Sequence, residues 1–334
     1  MKYYKCVKYN IVLLSDSNIE NQNSSSLSKL GYFKFIPKLK EVIKKYNPDI
    51  VHGHYASSYG VLGARSGFHP FVLSVWGSDV YDFPNKSILN KLILRYNLKK
   101  ADQIISTSHV MAIEAKKYTS KNIEVTPFGI DLNIFKPIEV KSVFSQDDIV
   151  IGTVKSLEVK YGIDYLLKAF AILKDKLPHL PLKLLIVGDG SQMENLKSLS
   201  KSLKIENETV FTGKVVQEDV PKFQNMLTVY VSLSIFNSES FGVAAIEASA
   251  CEKPVVVSAV DGFKEVIEQN VTGIIVPVGD VDATVNALER IVTDKNIGKE
   301  LGKNGRLRVA RLYNWENNLE SMIHIYKTVL ASKK

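Results

Sequence analysis

One feature constrains this chain above all others. Short β-branched runs alternate with helix-length segments, and the alternation is run through twice. That is the pattern of parallel sheets covered by helices. In the first half, residues 9–14, a run starting at Ile50-Val51-His52, residues 71–75 and residues 103–106 read as strands. Residues 35–46 read as a Lys-rich amphipathic helix, with Phe35, Leu39, Val42, Ile43 and Tyr46 on one face. Pro48-Asp49 ends it, and the Asn- and Ser-rich stretch 17–28 reads as a loop. Glu124-Val125-Thr126 runs into a punctuated turn, Pro127-Phe128-Gly129-Ile130-Asp131. A polar stretch, 136–148, then interrupts the pattern. It restarts with strands at 149–152, 182–187, 209–211, 228–232 and 254–258, a helix at 164–177 and a closing helix after Tyr313-Asn314-Trp315. For 334 residues the length prior is also two domains.

Composition serves here to exclude. No apolar run approaches the ~20 residues that span a bilayer. The opening Met1-Lys2-Tyr3-Tyr4-Lys5 is not the start of a secretion signal. Cys6 and Cys251 alone make neither a disulfide framework nor a zinc spacing, so a reducing cytoplasm is expected. The net charge of +8 favours anionic partners, or equally a solvated basic surface. No nucleic-acid-binding motif is present, and nucleic acid is not an expected partner.

The strongest chemical signal is Glu239-Ser240-Phe241-Gly242-Val243-Ala244-Ala245-Ile246-Glu247. Gly242 lets a ligand approach the backbone. The helix that follows offers free N–H groups and a positive dipole end, suited to phosphate. Glu239 falls on the loop and Glu247 more than a turn inside the helix, so the two acids can grip different parts of one long ligand. Glu247 lies among Ala245, Ile246, Ala248 and Ala250, where an unpaired carboxylate would be costly.

This segment resembles the E-x7-E signature, in its Phe-Gly form, of the retaining glycosyltransferases of family four. The resemblance covers nearly the whole chain. It implies the α/β GT-B architecture: an acceptor-binding Rossmann-like domain over 1–140, a donor-binding one over 141–312, and a helix over 313–334 packing back toward the first. It implies that Glu239 contacts hydroxyls of the donor sugar and stabilises the reacting centre. Glu247 would hydrogen-bond the ribose, and the backbone at Phe241, Gly242 and Val243 would face the diphosphate. In the family a strand-ending Gly is followed by a basic residue and then by a Lys shortly before a Gly. Gly152-Thr153-Val154-Lys155 and Lys160-Tyr161-Gly162 match, which makes Lys155 and Lys160 the diphosphate ligands. Fixed cations stabilise the leaving group's charge, so neither a metal nor a cofactor beyond a UDP- or GDP-linked sugar is implied. Lys155 stands where Arg is usual, keeping the charge without the fork. Gly188-Asp189-Gly190 is a tight turn at a carboxyl edge of a sheet, where ligands bind. Phe211-Thr212-Gly213-Lys214-Val215 resembles the loop that holds the base, and Asp261-Gly262 lies where a Gly-Gly turn is common.

On the acceptor side, His52-Gly53-His54-Tyr55-Ala56 and Val75-Trp76-Gly77-Ser78-Asp79 follow strands. Many family members carry His where this chain has Trp76. His54 and Asp79 therefore become the candidates to touch the transferring sugar or the acceptor, while His109 reads as a helix start. The family's first strand and Gly-rich loop have no counterpart here, and residues 1–8 read as the tail of the helix that would follow them. The Lys-rich helix with Lys34, Lys38, Lys40, Lys44 and Lys45 has two open readings: a solvated face, or one resting on anionic lipid at the inner face of a membrane. The expected activity is sugar transfer to a sugar or lipid-linked acceptor in polysaccharide or glycolipid synthesis. The rivals are a nucleotide-sugar epimerase of the same architecture and a non-catalytic nucleotide-sugar binder.

Overall fold

The computed structural model describes residues 2–6, 9–13, 32 and 34–332. The loop expected over 17–28 lies outside them. Strands β1 (Lys2–Cys6) and β2 (Tyr9–Leu13) pair antiparallel, Lys2 opposite Leu13 and Cys6 opposite Tyr9. This corrects the expectation of a helix tail over 1–8. Tyr-rich and β-branched runs favour strand, and neighbours in sequence pair at small loop cost.

The first parallel sheet follows. Helix α1 (Ile36–Tyr46) leads to β3 (Val51–His54), α2 (Ser58–Ser66), β4 (Phe71–Val75), α3 (Ser78–Tyr81), α4 (Ile88–Lys100), β5 (Gln103–Ser106), α5 (His109–Lys116) and β6 (Ile123–Val125). The strands lie in the order β3-β4-β5-β6, all parallel. Every residue of β4 is buried, as expected of a strand covered on both faces.

The polar stretch 136–148 carries no helix or strand. Then come β7 (Ile149–Val154), α6 (Ile163–Lys176), β8 (Leu182–Val187), α7 (Met193–Ser202), β9 (Thr209–Gly213), α8 (Val220–Met226), β10 (Val229–Ser232), α9 (Val243–Ala250), β11 (Val255–Ser258), α10 (Asp261–Val266), β12 (Ile274–Val276), α11 (Val281–Thr293) and α12 (Lys295–Leu312). The parallel strands run β12-β11-β10-β7-β8-β9. Two large apolar clusters flank this sheet, one around Phe170, Leu184 and Leu288, the other around Tyr230, Val257 and Phe263. The last helix, α13 (Trp315–Ala331), sends Ile325 and Val329 into a cluster with Val72 of β4 and Ile105 of β5. The chain therefore ends against the first sheet rather than the second.

Candidate functional site

The carboxyl edges of the two sheets face one cleft. A cavity of about 210 Å³ is lined from one side by Tyr55, Trp76 and Ser78, and from the other by Lys160, Tyr161 and the segment from Ser238 to Val243. The walls touch. Trp76 meets Phe128 with ring centroids 5.6 Å apart, and Phe128 meets Phe241 at 5.6 Å. The Glu265 carboxylate of α10 accepts the His109 and Val110 N–H groups at 2.9 Å each. It thereby caps α5 of the first sheet, where a helix leaves N–H groups free and favours negative charge.

The second sheet supplies charge. Lys155, just past β7, places Nζ 2.5 Å from Glu239 Oε2, with both side chains largely buried. The same oxygen accepts from Ser234 Oγ at 3.2 Å. Burial works to lower the Lys155 pKa, but the Glu239 carboxylate together with Tyr230 and Tyr161 outweighs it and holds the ammonium above its ordinary value. Tyr161 lies between the two lysines, its ring centre 4.5 Å from Lys155 Nζ and 4.9 Å from Lys160 Nζ. Such cation–π contacts hold an ammonium in place without neutralising it. Among the described residues Lys160 lines the cavity without a salt bridge, its charge acting on the Glu158 carboxylate.

The helix α9 begins at this point. Gly242 takes φ +85°, and a Cβ there would sit 2.6 Å from the Phe263 ring, so only glycine makes this entry. Val243 opens the helix and lines the cavity, while Phe241 packs inward on Tyr313 at 5.4 Å. Glu247, one turn on, is 8 % exposed and makes no side-chain hydrogen bond among the described residues. Desolvation pushes its pKa up to about 7, with Lys155 pulling the other way. Gly188 takes φ +136°, and a Cβ there would lie 1.9 Å from the Lys155 carbonyl oxygen. Its part is to let the β8 turn pass directly beneath the Lys155 backbone. Val215, half-buried after β9, packs beside the second apolar cluster and is not among the residues lining this cavity.

The first sheet supplies rings and locked backbone. His52 bonds Tyr326 Oη of α13 at 2.6 Å and Ser74 Oγ at 2.7 Å. The His54 ring lies 4.0 Å from His52 and 5.2 Å from Trp76. Burial lowers the pKa of both histidines, and for His52 the nearby His54 adds to it. Trp76 lines the cavity, whereas His54 is exposed and is not among the residues lining it. Asp79 requires a correction. It is fully buried, and its carboxylate accepts the N–H groups of Ala56 (2.6 Å), Trp76 (3.1 Å) and Gly77 (2.8 Å). Desolvation raises its pKa against the pull of those bonds. An acid so enclosed has no face for a substrate; it ties the loop after β3 to the loop after β4. His109 starts α5, with Ser108 as its cap.

Sequence reasoning did not single out Tyr161, Tyr55, Ser78, Phe128 or Glu265. Tyr161 had a signal, an aromatic ring next to Lys160 on the same loop. Glu265 had none, because its partners are backbone groups 155 and 156 residues away.

A family profile described as Glycosyl transferases group 1 matches residues 135–308, and one described as Glycosyl transferase 4-like matches residues 10–108. The N-acetyl-alpha-D-glucosaminyl L-malate synthase of Bacillus anthracis is 26% identical over 312 residues, 89% of this chain and 79% of its own. Among solved structures, sucrose-phosphate synthase from Thermosynechococcus elongatus superposes with a TM-score of 0.80 at 25% identity, covering 91% of this chain and 79% of that one. HepE from Anabaena, in complex with UDP, superposes at 0.77 and 18% identity, covering 92% and 85%. The fold is GT-B.

Proposed function

Because the chain belongs to the glycosyl transferases group 1 family, we propose that this glycosyltransferase moves a sugar from a UDP- or GDP-linked donor to an acceptor hydroxyl, with retention and without a metal. The acceptor we propose is a sugar or lipid-linked sugar in polysaccharide or glycolipid synthesis. The observation that carries this reading is the Lys155–Glu239 pair at 2.5 Å, with Lys160 lining the same cavity. As the bond from the anomeric carbon to the phosphate oxygen breaks, the diphosphate gains charge. Two ammonium groups set around Tyr161 stabilise that charge where it develops. Glu239, clamped by Lys155 and Ser234, is oriented to bind donor-sugar hydroxyls. Glu247 lies deeper in the same wall, with acceptor capacity that no donor among the described residues uses, and suits a ribose hydroxyl. Trp76, Tyr55 and Ser78 face Glu239 across the cavity, and the acceptor hydroxyl enters from their side. Attack on the leaving-group face gives retention. The UDP bound by HepE supports a uridine donor.

The test is thermal unfolding with UDP, GDP and ADP, for wild type and Glu247→Ala. A nucleotide at a hundred times its Kd adds about 2.7 kcal/mol of stability. One nucleotide should raise Tm in wild type only. If none does, the donor site as drawn is wrong.

A further inference from the structure

Trp76 is 42 % exposed, although it directly follows β4, in which every residue is buried. A large ring left open over a cavity is a usual part of a ligand site. This ring is also held ready. Its backbone N–H donates to Asp79 at 3.1 Å, and its carbonyl accepts from Ser240 Oγ at 3.4 Å. Phe128 and His54 brace the indole at centroid distances of 5.6 and 5.2 Å. Tyr55, on the same wall, has a φ of +91°, a left-handed backbone that bulky residues rarely adopt. Two hydrogen bonds keep it there: the Tyr55 N–H donates to the Ser74 carbonyl at 3.0 Å, and the Gly60 N–H to the Tyr55 carbonyl at 2.9 Å. The phenol lines the cavity and bonds Ser78 Oγ. Strain retained at a cavity wall is characteristic of ligand clamps.

This wall offers rings and hydroxyls but no cation. Among the described residues lining the cavity the basic group is Lys160, on the opposite wall. The charge behind Trp76 is negative, because the Asp79 carboxylate is bonded to the Trp76 and Gly77 N–H groups. Burial raises the Tyr55 pKa against the pull of its bond to Ser78, and Asp79, Asp82 and Tyr161 raise it further. An anion brought to this wall would meet an indole, two hydroxyls and a like charge, a juxtaposition that rejects wrong partners. A pyranose ring suits the same wall. Its axial C–H groups give it an apolar face for the indole, and its rim hydroxyls can exchange hydrogen bonds with Tyr55 and Ser78.

We propose that Trp76 is the platform on which the acceptor stacks, that the residue receiving the new bond is an uncharged pyranose, and that Trp76, Tyr55 and Ser78 together select against acceptors carrying an acid on that ring. That this sugar is the acceptor rests on the transferase reading; the stacking itself does not.

Trp76 can report on its own occupant. The chain has two tryptophans, and Trp315→Phe leaves Trp76 as the sole emitter. Its fluorescence is followed while the methyl pyranosides of glucose, galactose and mannose, and those of the three matching uronic acids, are added with and without UDP or GDP. At least one neutral glycoside should change the emission, and its uronate should bind about tenfold or more weakly. Saturation-transfer NMR on that glycoside then compares variants. Trp76→Ala should abolish the transfer and Trp76→Phe should restore part of it, with the nucleotide-dependent rise in Tm the same in all. A uronate bound as tightly as its neutral partner would overturn the proposal. So would the absence of any response to a glycoside, or a change in emission with UDP-glucose or GDP-mannose alone, which would give the ring to the donor. If no nucleotide raises Tm, the donor site falls, and the titration without nucleotide still decides the platform.

Discussion

The two walls of the cleft are built from the same topology and equipped in opposite ways. Both are carboxyl edges of parallel sheets, where loops point at a ligand. The wall from β7 and β10 presents charge: Lys155, Lys160 and Glu239 stand on short loops, held by each other and by Tyr161. The wall from β3 and β4 presents rings, and its acid, Asp79, is spent on backbone N–H groups. On the function we propose, a diphosphate, the same in every nucleotide donor, would be met by fixed cations. An acceptor would be met by shape, on the side whose loops are held still.

The largest expected effect tests whether Asp79 is structural. Asp79→Ala leaves the buried N–H groups of Ala56 and Gly77 and the half-buried one of Trp76 unpaired and should cost ~3–5 kcal/mol of stability, seen as a lower denaturation midpoint with or without nucleotide. A variant of wild-type stability that had lost activity would return Asp79 to the reacting groups.

Next is the division of labour between the walls. Lys155→Ala should reduce the rate of nucleoside diphosphate release from the donor by ~10²–10³-fold, comparable to removing one stabilising donor from a developing oxyanion. Trp76→Ala should leave nucleotide Kd within about threefold, since no base or phosphate contact is assigned to that side. Equal loss of nucleotide affinity in both variants would break the comparison.

The smallest effect is a pH dependence. The folded pKa of Glu247, about 7, lies above its ordinary 4.5. Between those values the native state holds more protons than the unfolded chain, so this group's contribution to stability falls as pH rises from 4.5 to about 7 and is flat beyond. In Glu247→Gln that slope disappears. Relative to wild type the variant should gain up to about 3 kcal/mol between pH 4 and pH 8. A stability difference constant across that range would show that the carboxylate ionises freely in the fold.

The alternation of strands and helices was legible because each buried parallel strand must read as a continuous apolar run. The strands β4, β5 and β8 begin and end where those runs do. The acidic motif was legible for a similar reason, since a Gly at the helix entry and a Glu among alanines are local departures from a packing pattern. Strand β1 was misread as the tail of a helix, while β2 falls within the strand expected over 9–14. Eight residues carry too little periodicity to separate a strand from the end of a helix.

By itself, then, the sequence determined the two-sheet architecture and which residues carry charge on the wall from β7 and β10, because burial and turn chemistry act over a few neighbouring residues. Only the tertiary structure decided what those groups do for one another. Lys155 meets Glu239 across 84 positions, and Glu265 caps a helix of the other sheet. Asp79, which looked like a substrate-facing acid, is enclosed because loops from two strands close over it. Electrostatic pairing and desolvation depend on distance in space, and for these residues sequence separation holds no record of that distance.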